Sequence, residues 1–211
     1  VPTLPLAIFP LNTVLFPGGL LPLRVFEARY MDMVSACMKA KTPFGVCLIR
    51  EGTEVARKRG EAAKPEDVGC MAEILDFDME ELGVLNIVTV GRTRFRILES
   101  HVEPDGLIRA QVEPLINDEA APVAASQKDC AQLLANIIAD MEVERSQNPE
   151  SRGKPFPFAA PFSFDDAGWV ANRLCEVLSV PLKAKQKLME LDDPSQRLEI
   201  VHTYLKQKKV I

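Results

Sequence analysis

Up to about residue 117 the apolar positions come in short or alternating runs broken by Gly, Pro and Asp. LAIFPL (6–11), GVCLIR (45–50), GCMAEILDF (69–77), LGVLNIVTVG (82–91), RFRILESHV (94–102) and GLIRAQVEPL (106–115) have the length and period of strands. Pro104-Asp105-Gly106 between two alternating runs is a hairpin signal, and Met79-Glu80-Glu81-Leu82-Gly83 closes another. One helix interrupts this half. It begins near Glu27, carries Tyr30, Met31, Val34 and Met38 on one face, and is stopped by Lys41-Thr42-Pro43.

From about residue 119 the period changes. Cys130, Leu133, Leu134, Ile137, Ile138 and Met141 recur at three- and four-residue steps, which predicts one stripe of a long helix over about 121–147, ended at the latest by Pro149 and Gly153. A Pro/Phe-rich linker, 148–164, follows, and three helices fill 165–210. Asp165 or Asp166 caps the first, which bears Trp169, Val170, Leu174, Val177 and Leu178 and is halted by Pro181. A short helix runs from Pro181 to Leu191. The last opens with Asp193-Pro194-Ser195-Gln196, a capping-box signature, and buries Leu198, Val201 and Leu205. The expected fold class is therefore α+β: a β-rich lobe over residues 1–117 and an all-α lobe over 118–211.

Composition narrows the function classes. A net charge of −5 and a pI near 5.2 argue against phosphate-backbone binding, which needs a positive face to displace counterions. The five cysteines (Cys37, Cys47, Cys70, Cys130, Cys175) form no C-x-x-C pair, so neither a disulfide framework nor a zinc knuckle is indicated. VPTLPLAIFPL has no basic leader or small-residue cleavage site, and no apolar run reaches the roughly 18 residues of a membrane helix. The expected location is the cytoplasm, with no membrane association.

Four stretches invite a chemical reading. RVFEARY (24–30) packs Phe26, Glu27, Arg29 and Tyr30 together, as a reactive cluster or as a strand-to-helix junction. The junction is preferred, because a helix N-terminus attracts acidic and capping groups whatever the activity. A nucleophilic site lacks partners: His101 and His202 are the only histidines and sit in a strand and a helix. The acidic run Asp76-Phe77-Asp78-Met79-Glu80-Glu81 lacks the glycine and spaced ligands of a calcium loop and reads as a solvated hairpin. Arg57-Lys58-Arg59-Gly60 reads as an exposed loop. Last, PFPFAAPFSF (155–164) holds Phe156, Phe158, Phe162 and Phe164 in a segment too rich in proline for a helix. Its rings either pack at the junction of the lobes, the preferred account, or form an exposed apolar strip.

The ordering of these elements resembles the substrate-binding N-terminal domain of the ATP-dependent Lon protease, also found in cereblon and in free-standing bacterial proteins. The opening block carries it in Pro5, Leu6, Pro10, Leu11, Phe16, Pro17, Gly18, Phe26, Glu27, Arg29 and Tyr30. The C-terminal part is similar to the helical subdomain of the free-standing members in Trp169, Asn172, Arg173, Leu174, Lys185, Gln186, Leu188, Leu191, Arg197 and Leu198. The resemblance implies a PUA-like β pseudobarrel followed by a helical bundle, with neither the phosphate-cradling G-x-x-x-x-G-K-[ST] loop nor the Ser-Lys domain of the full protease. Gly153-Lys154 is followed by Pro155 and lacks the upstream glycine. The implied function is non-enzymatic binding of unfolded or extended polypeptide in protein quality control, with a separate protease as a further partner and no cofactor or metal. Contacts are expected from Phe16, Leu20 and Leu21 in the FPGGLL loop and from Phe158, Phe162 and Phe164. The rival is a small-molecule or RNA sensor at the barrel mouth, by analogy with other PUA-like folds.

Overall fold

The computed structural model describes residues 2–54, 63–148 and 156–211. The chain divides into two compact units, Val1–Asn117 and Asp118–Ile211.

The first unit is a seven-stranded sheet with one helix. Its strands are β1 (Leu4–Leu11), β2 (Leu20–Val25), β3 (Phe44–Glu51), β4 (Lys64–Pro65), β5 (Val68–Glu81), β6 (Val84–Val102) and β7 (Ile108–Pro114). Hydrogen-bonded neighbours run β1-β7-β6-β5-β3-β4, and a parallel β1–β3 pairing closes the sheet into a barrel. Closure removes most of the strand edges that would otherwise template aggregation. β6 is long because it serves two partners on one edge: Leu85–Val90 pair with β2, whereas Phe95–Val102 pair with β7, and β5 holds the opposite edge.

Two sequence readings change here. The runs 82–91 and 94–102 are one strand, since Gly91 continues the backbone where the partner changes. FPGGLL is less a loop than a turn and a strand: Phe16-Pro17-Gly18-Gly19 forms a turn with Gly18 at φ 75° and the Gly19 N–H donating to the Phe16 carbonyl at 3.0 Å. Proline and glycine there set the two central conformations, and the chain then runs directly into β2.

Strand alternation gives β1 two buried faces. Leu6 and Ile8 pack with Cys47, Phe95, Ile108 and Val112; Ala7, Phe9 and Leu11 pack on the other side with Phe44, Val46, Leu85 and Ile87. That second cluster is completed by helix α1 (Ala28–Ala40), which contributes Tyr30, Met33, Val34 and Cys37, with Met31 and Met38 partly buried. α1 ends where the sequence predicts, on Lys41 in the left-handed conformation (φ 53°).

The second unit holds α2 (Lys128–Gln147), α3 (Ala167–Val177), α4 (Leu182–Glu190) and α5 (Pro194–Gln207). The long helix starts later than about 121, because Ala121–Val123 instead pair with Asp165–Ala167 as a short antiparallel bridge, followed by a 3-10 turn at Ala125–Gln127. Its buried stripe is Cys130, Leu134 and Ile138. Asp166 caps α3 by accepting from the Trp169 N–H at 2.6 Å; Asp193 caps α5 by accepting from the N–H groups of Ser195 and Gln196 at 2.8 and 3.2 Å. Leu198, Val201 and Leu205 are buried as the period of α5 predicts.

Candidate functional site

RVFEARY makes the turn from β2 into α1. Arg24 pairs with Glu81 at 2.6 Å on the open surface, a contact worth little on its own. Val25 is buried and Phe26 points out, 54% exposed. Glu27 occupies the N-cap position of α1 without a side-chain cap, and its carboxylate instead accepts from Arg29 Nη2 at 2.9 Å. The buried Arg29 also donates through Nη1 to the Gly106 carbonyl at 2.9 Å and lies 4.5 Å over the Tyr30 ring. Tyr30 stacks on Phe9 with centroids 3.9 Å apart. Burial pushes the Tyr30 phenol up to about 12 against the opposing pull of Arg29, so it is neutral at physiological pH. The cluster fastens strand, helix and the Gly106 turn to one another.

The same junction forms one wall of a half-open cavity of about 240 Å³. Phe9, Leu11 and Thr13 come from β1 and the residues after it, and Pro22, Leu23, Arg24 and Val25 from β2. Phe26, Glu27 and Tyr30 close one end, and Glu54 lies at another side. Apolar side chains dominate the lining, joined by Arg24, Glu27 and Glu54.

The face of Leu23 continues across the sheet through the buried Ile87 to an exposed apolar end on β5. Leu23 faces Ile87, and Ile87 faces Phe77, so the three side chains share one sheet face. Phe77 is 58% exposed, and Met79, two residues along the same strand, is exposed as well. The sequence reading of residues 76–81 as a solvated hairpin missed this. Alternation of Asp76-Phe77-Asp78-Met79 is the signal that one side of the hairpin is acidic and the other greasy.

The residues expected as contacts distribute unevenly. Phe16 is fully buried and offers no surface, because the Pro17-Gly18 turn folds it inward. Leu20 and Leu21 are half-buried on β2, next to the cavity-lining segment that begins at Pro22. In the helical unit Phe158 is buried, in line with packing rather than an exposed strip, and offers no surface as a contact. Phe162 and Phe164 are half-buried around Trp169, with centroids 6.1 and 5.3 Å from the indole. Phe9, Leu11, Leu23 and Phe26 were missed as cavity residues, since strand alternation places them in the core without showing where the core opens. Arg57-Lys58-Arg59-Gly60 and Gly153-Lys154-Pro155 lie outside the described residues.

His101 is exposed beside Glu103 at 3.2 Å, and the buried His202 lies 3.4 Å from Asp129. All five cysteines are buried, and burial pushes the thiols of Cys130 and Cys175 up to about 12 and raises those of Cys37 and Cys47, away from the thiolate a nucleophile needs. No group of three or more His, Cys, Asp or Glu among the described residues is arranged to hold a metal ion. Asp76 and Asp78 instead accept from the N–H groups of Phe77 and Met79. No helix of the described residues is long and apolar enough to cross a membrane.

Comparison with known proteins places this architecture. Residues 5–207 match the model of the ATP-dependent protease La (LON) substrate-binding domain. A crystal structure of a Lon N-terminal domain protein from Xanthomonas campestris is 31% identical and superimposes with a TM-score of 0.71 over 95% of this chain and 98% of its own. The N-terminal domain of the Mycobacterium avium complex Lon protease, 17% identical, shares the fold with a TM-score of 0.63, covering 96% of this chain and 98% of that one. The Lon protease of Anaeromyxobacter dehalogenans is 24% identical over the whole of this chain, and that of Cytophaga hutchinsonii 27% identical over 88% of it. The chain spans only 23% and 22% of the length of these curated relatives, their N-terminal parts. With the family model matched over nearly its whole length, the chain belongs to the Lon substrate-binding domain family.

Proposed function

We propose that this chain is a polypeptide-binding module that holds extended or partly unfolded segments by burial of apolar side chains, with no chemistry of its own. The observation that carries the reading is the half-open, mainly apolar cavity at the β2–α1 junction, with exposed Phe26 on its lining. Apolar burial is non-directional and yields about 25 cal/mol per Å², so such a surface favours exposed greasy chain over any one sequence. Membership in a family described by substrate binding supports the same reading. In a cell the module would act in the cytoplasm, in protein quality control, delivering clients to a protease or holding them.

The rival, a small-molecule or RNA sensor, is less well supported. A 240 Å³ cavity is below the roughly 300–1,000 Å³ of ordinary ligand pockets, and a net charge of −5 opposes a polyanion. Titration with a chemically unfolded protein and, separately, with short RNA across salt concentrations decides between them. Client binding that persists in high salt is expected; binding of RNA that collapses with salt, with no client binding, overturns the reading.

A further inference from the structure

Barrel closure stops short of the outer half of β5. β3 pairs with β5 only from Cys70 to Ala72, so beyond that point β6 is the one strand beside β5 among the described residues. Leu75 to Met79 are all exposed. A strand edge left in this way carries outward N–H and C=O groups that pair readily with another strand. The register fixes which groups those are. Pro22 of β2 lies opposite Val88 of β6, and a proline has no N–H to give that partner. In an antiparallel ladder opposed residues either bond each other or both turn away, so Val88 turns its backbone groups to the other side, toward Asp76 of β5. Asp78 pairs with Asn86 in the same way, and the intervening Phe77, with Met79 beyond, turns its N–H to the uncovered edge. Both of those N–H groups are occupied: Phe77 donates to Asp76 Oδ1 at 2.9 Å and Met79 to Asp78 Oδ1 at 2.7 Å. Two carboxylates thus fold over the edge and fill donors that an added strand needs.

The same alternation bears on a second copy. Two β5 strands meeting edge to edge pair about a two-fold axis, with the same residues on both sides. An axis at Asp78 sets Phe77 against Met79, an apolar pair, but sets Asp78 against itself; an axis at Phe77 sets Asp76 against Asp78. These are the positions where opposed Cα atoms stand only about 4.5 Å apart, and like charges placed there oppose pairing.

We propose that Asp76 and Asp78 hold the outer edge of β5 shut against a second copy of this chain. They do so twice over, by filling the outward donors and by setting carboxylate against carboxylate in the self-pairing registers. The exposed Phe77 and Met79 therefore do not drive association, although they face each other across such a pair. The device acts whatever the cavity binds.

Sedimentation velocity of the whole chain over a range of concentrations tests this. The double variant Asp76→Val with Asp78→Val should self-associate at least about tenfold more tightly than the parent, since it frees two donors and removes the opposed charges. Asp76→Asn with Asp78→Asn keeps an acceptor beside each N–H and loses only the charge, and should associate more than the parent and less than the valine pair. Adding Met79→Pro to the valine pair should restore the parent's behaviour, because proline takes away an outward N–H. Adding Met79→Ser, which removes the same apolar side chain and keeps the N–H, should restore less of it. Either pair remaining as monomeric as the parent overturns the inference; circular dichroism identifies a valine pair that has lost its fold, in which case the asparagine pair decides. Association that persists undiminished with Met79→Pro overturns it as well, as non-specific adhesion. So does a parent that already dimerises through this edge, seen as a dimer that Met79→Pro alone dissolves.

Discussion

Gly91 occupies the point where β6 exchanges β2 for β7, and the turn before β2 lies against it. Gly18 donates to its carbonyl and its own N–H donates to the Gly19 carbonyl, both at 2.8 Å. A Cβ there would sit 2.2 Å from the Phe16 carbonyl oxygen, a backbone atom that cannot rotate away. Gly91→Ala should therefore cost about 2 kcal/mol or more in urea denaturation. Gly83→Ala, at the hairpin tip with φ 83° and open space around it, should cost only about 1 kcal/mol, from backbone strain alone. Tyr30 gives a second single-residue test. Its folded pKa is raised to about 12 from an ordinary 10.0, so its contribution to stability is complete below pH 10 and is lost as pH climbs toward 12. Tyr30→Phe removes that titration, and the fall in denaturation midpoint between pH 10 and pH 12 should be shallower in the variant than in the parent.

Among the helices, one side chain of α5 ties several segments together. Arg197 is almost wholly buried; its guanidinium donates to both oxygens of Asp118, to Asn172 Oδ1 at 2.9 Å, and to the carbonyls of Leu188, at 2.9 Å, and Leu191. It thereby joins α3, the end of α4, the α4–α5 turn and the segment before α2. Removing one partner of a buried ion pair leaves the other charge uncompensated, so Arg197→Ala should destabilise the helical unit by about 3–5 kcal/mol. Arg197→Lys should recover little of this, because an ammonium cannot span a carboxylate and two carbonyls as a planar fork does. Thermal melts followed by helical circular dichroism separate the two variants. Periodicity announces these helices, and Asp193 with Asp165 or Asp166 their starts, but apart from the family resemblance Arg197 reads in sequence as one more polar residue on an amphipathic helix.

At the level of the whole molecule, each unit carries its own buried core, the barrel unit around α1 and within the sheet, the helical unit around Leu134, Leu174 and Leu198. A fragment of residues 1–117 should accordingly unfold as one cooperative transition with a β-type circular dichroism spectrum. A broad, non-cooperative melt would mean that the barrel depends on the helices. The cavity belongs to this unit, so the fragment should retain binding of unfolded polypeptide.

The alternation of apolar residues before residue 117 and their three-to-four spacing after it are local properties, set by which side of a strand or helix faces water. They suffice for a strand-rich half, a helical half, the stop of α1 at Lys41 and the caps of α3 and α5. The long block from Pro5 to Tyr30 suffices for the family, because so many residues of fixed type and order coincide. Sequence periodicity cannot say which strand pairs with which, and the site depends on that pairing. Phe16 is buried and Phe26 exposed because a turn folds one inward and a strand-to-helix junction turns the other out. Phe77 comes to share a sheet face with Leu23 only through the buried Ile87, on a strand between them. The period of two tells which residues share a strand face; the closure of the barrel decides where such a face is covered and where it is left open to a partner.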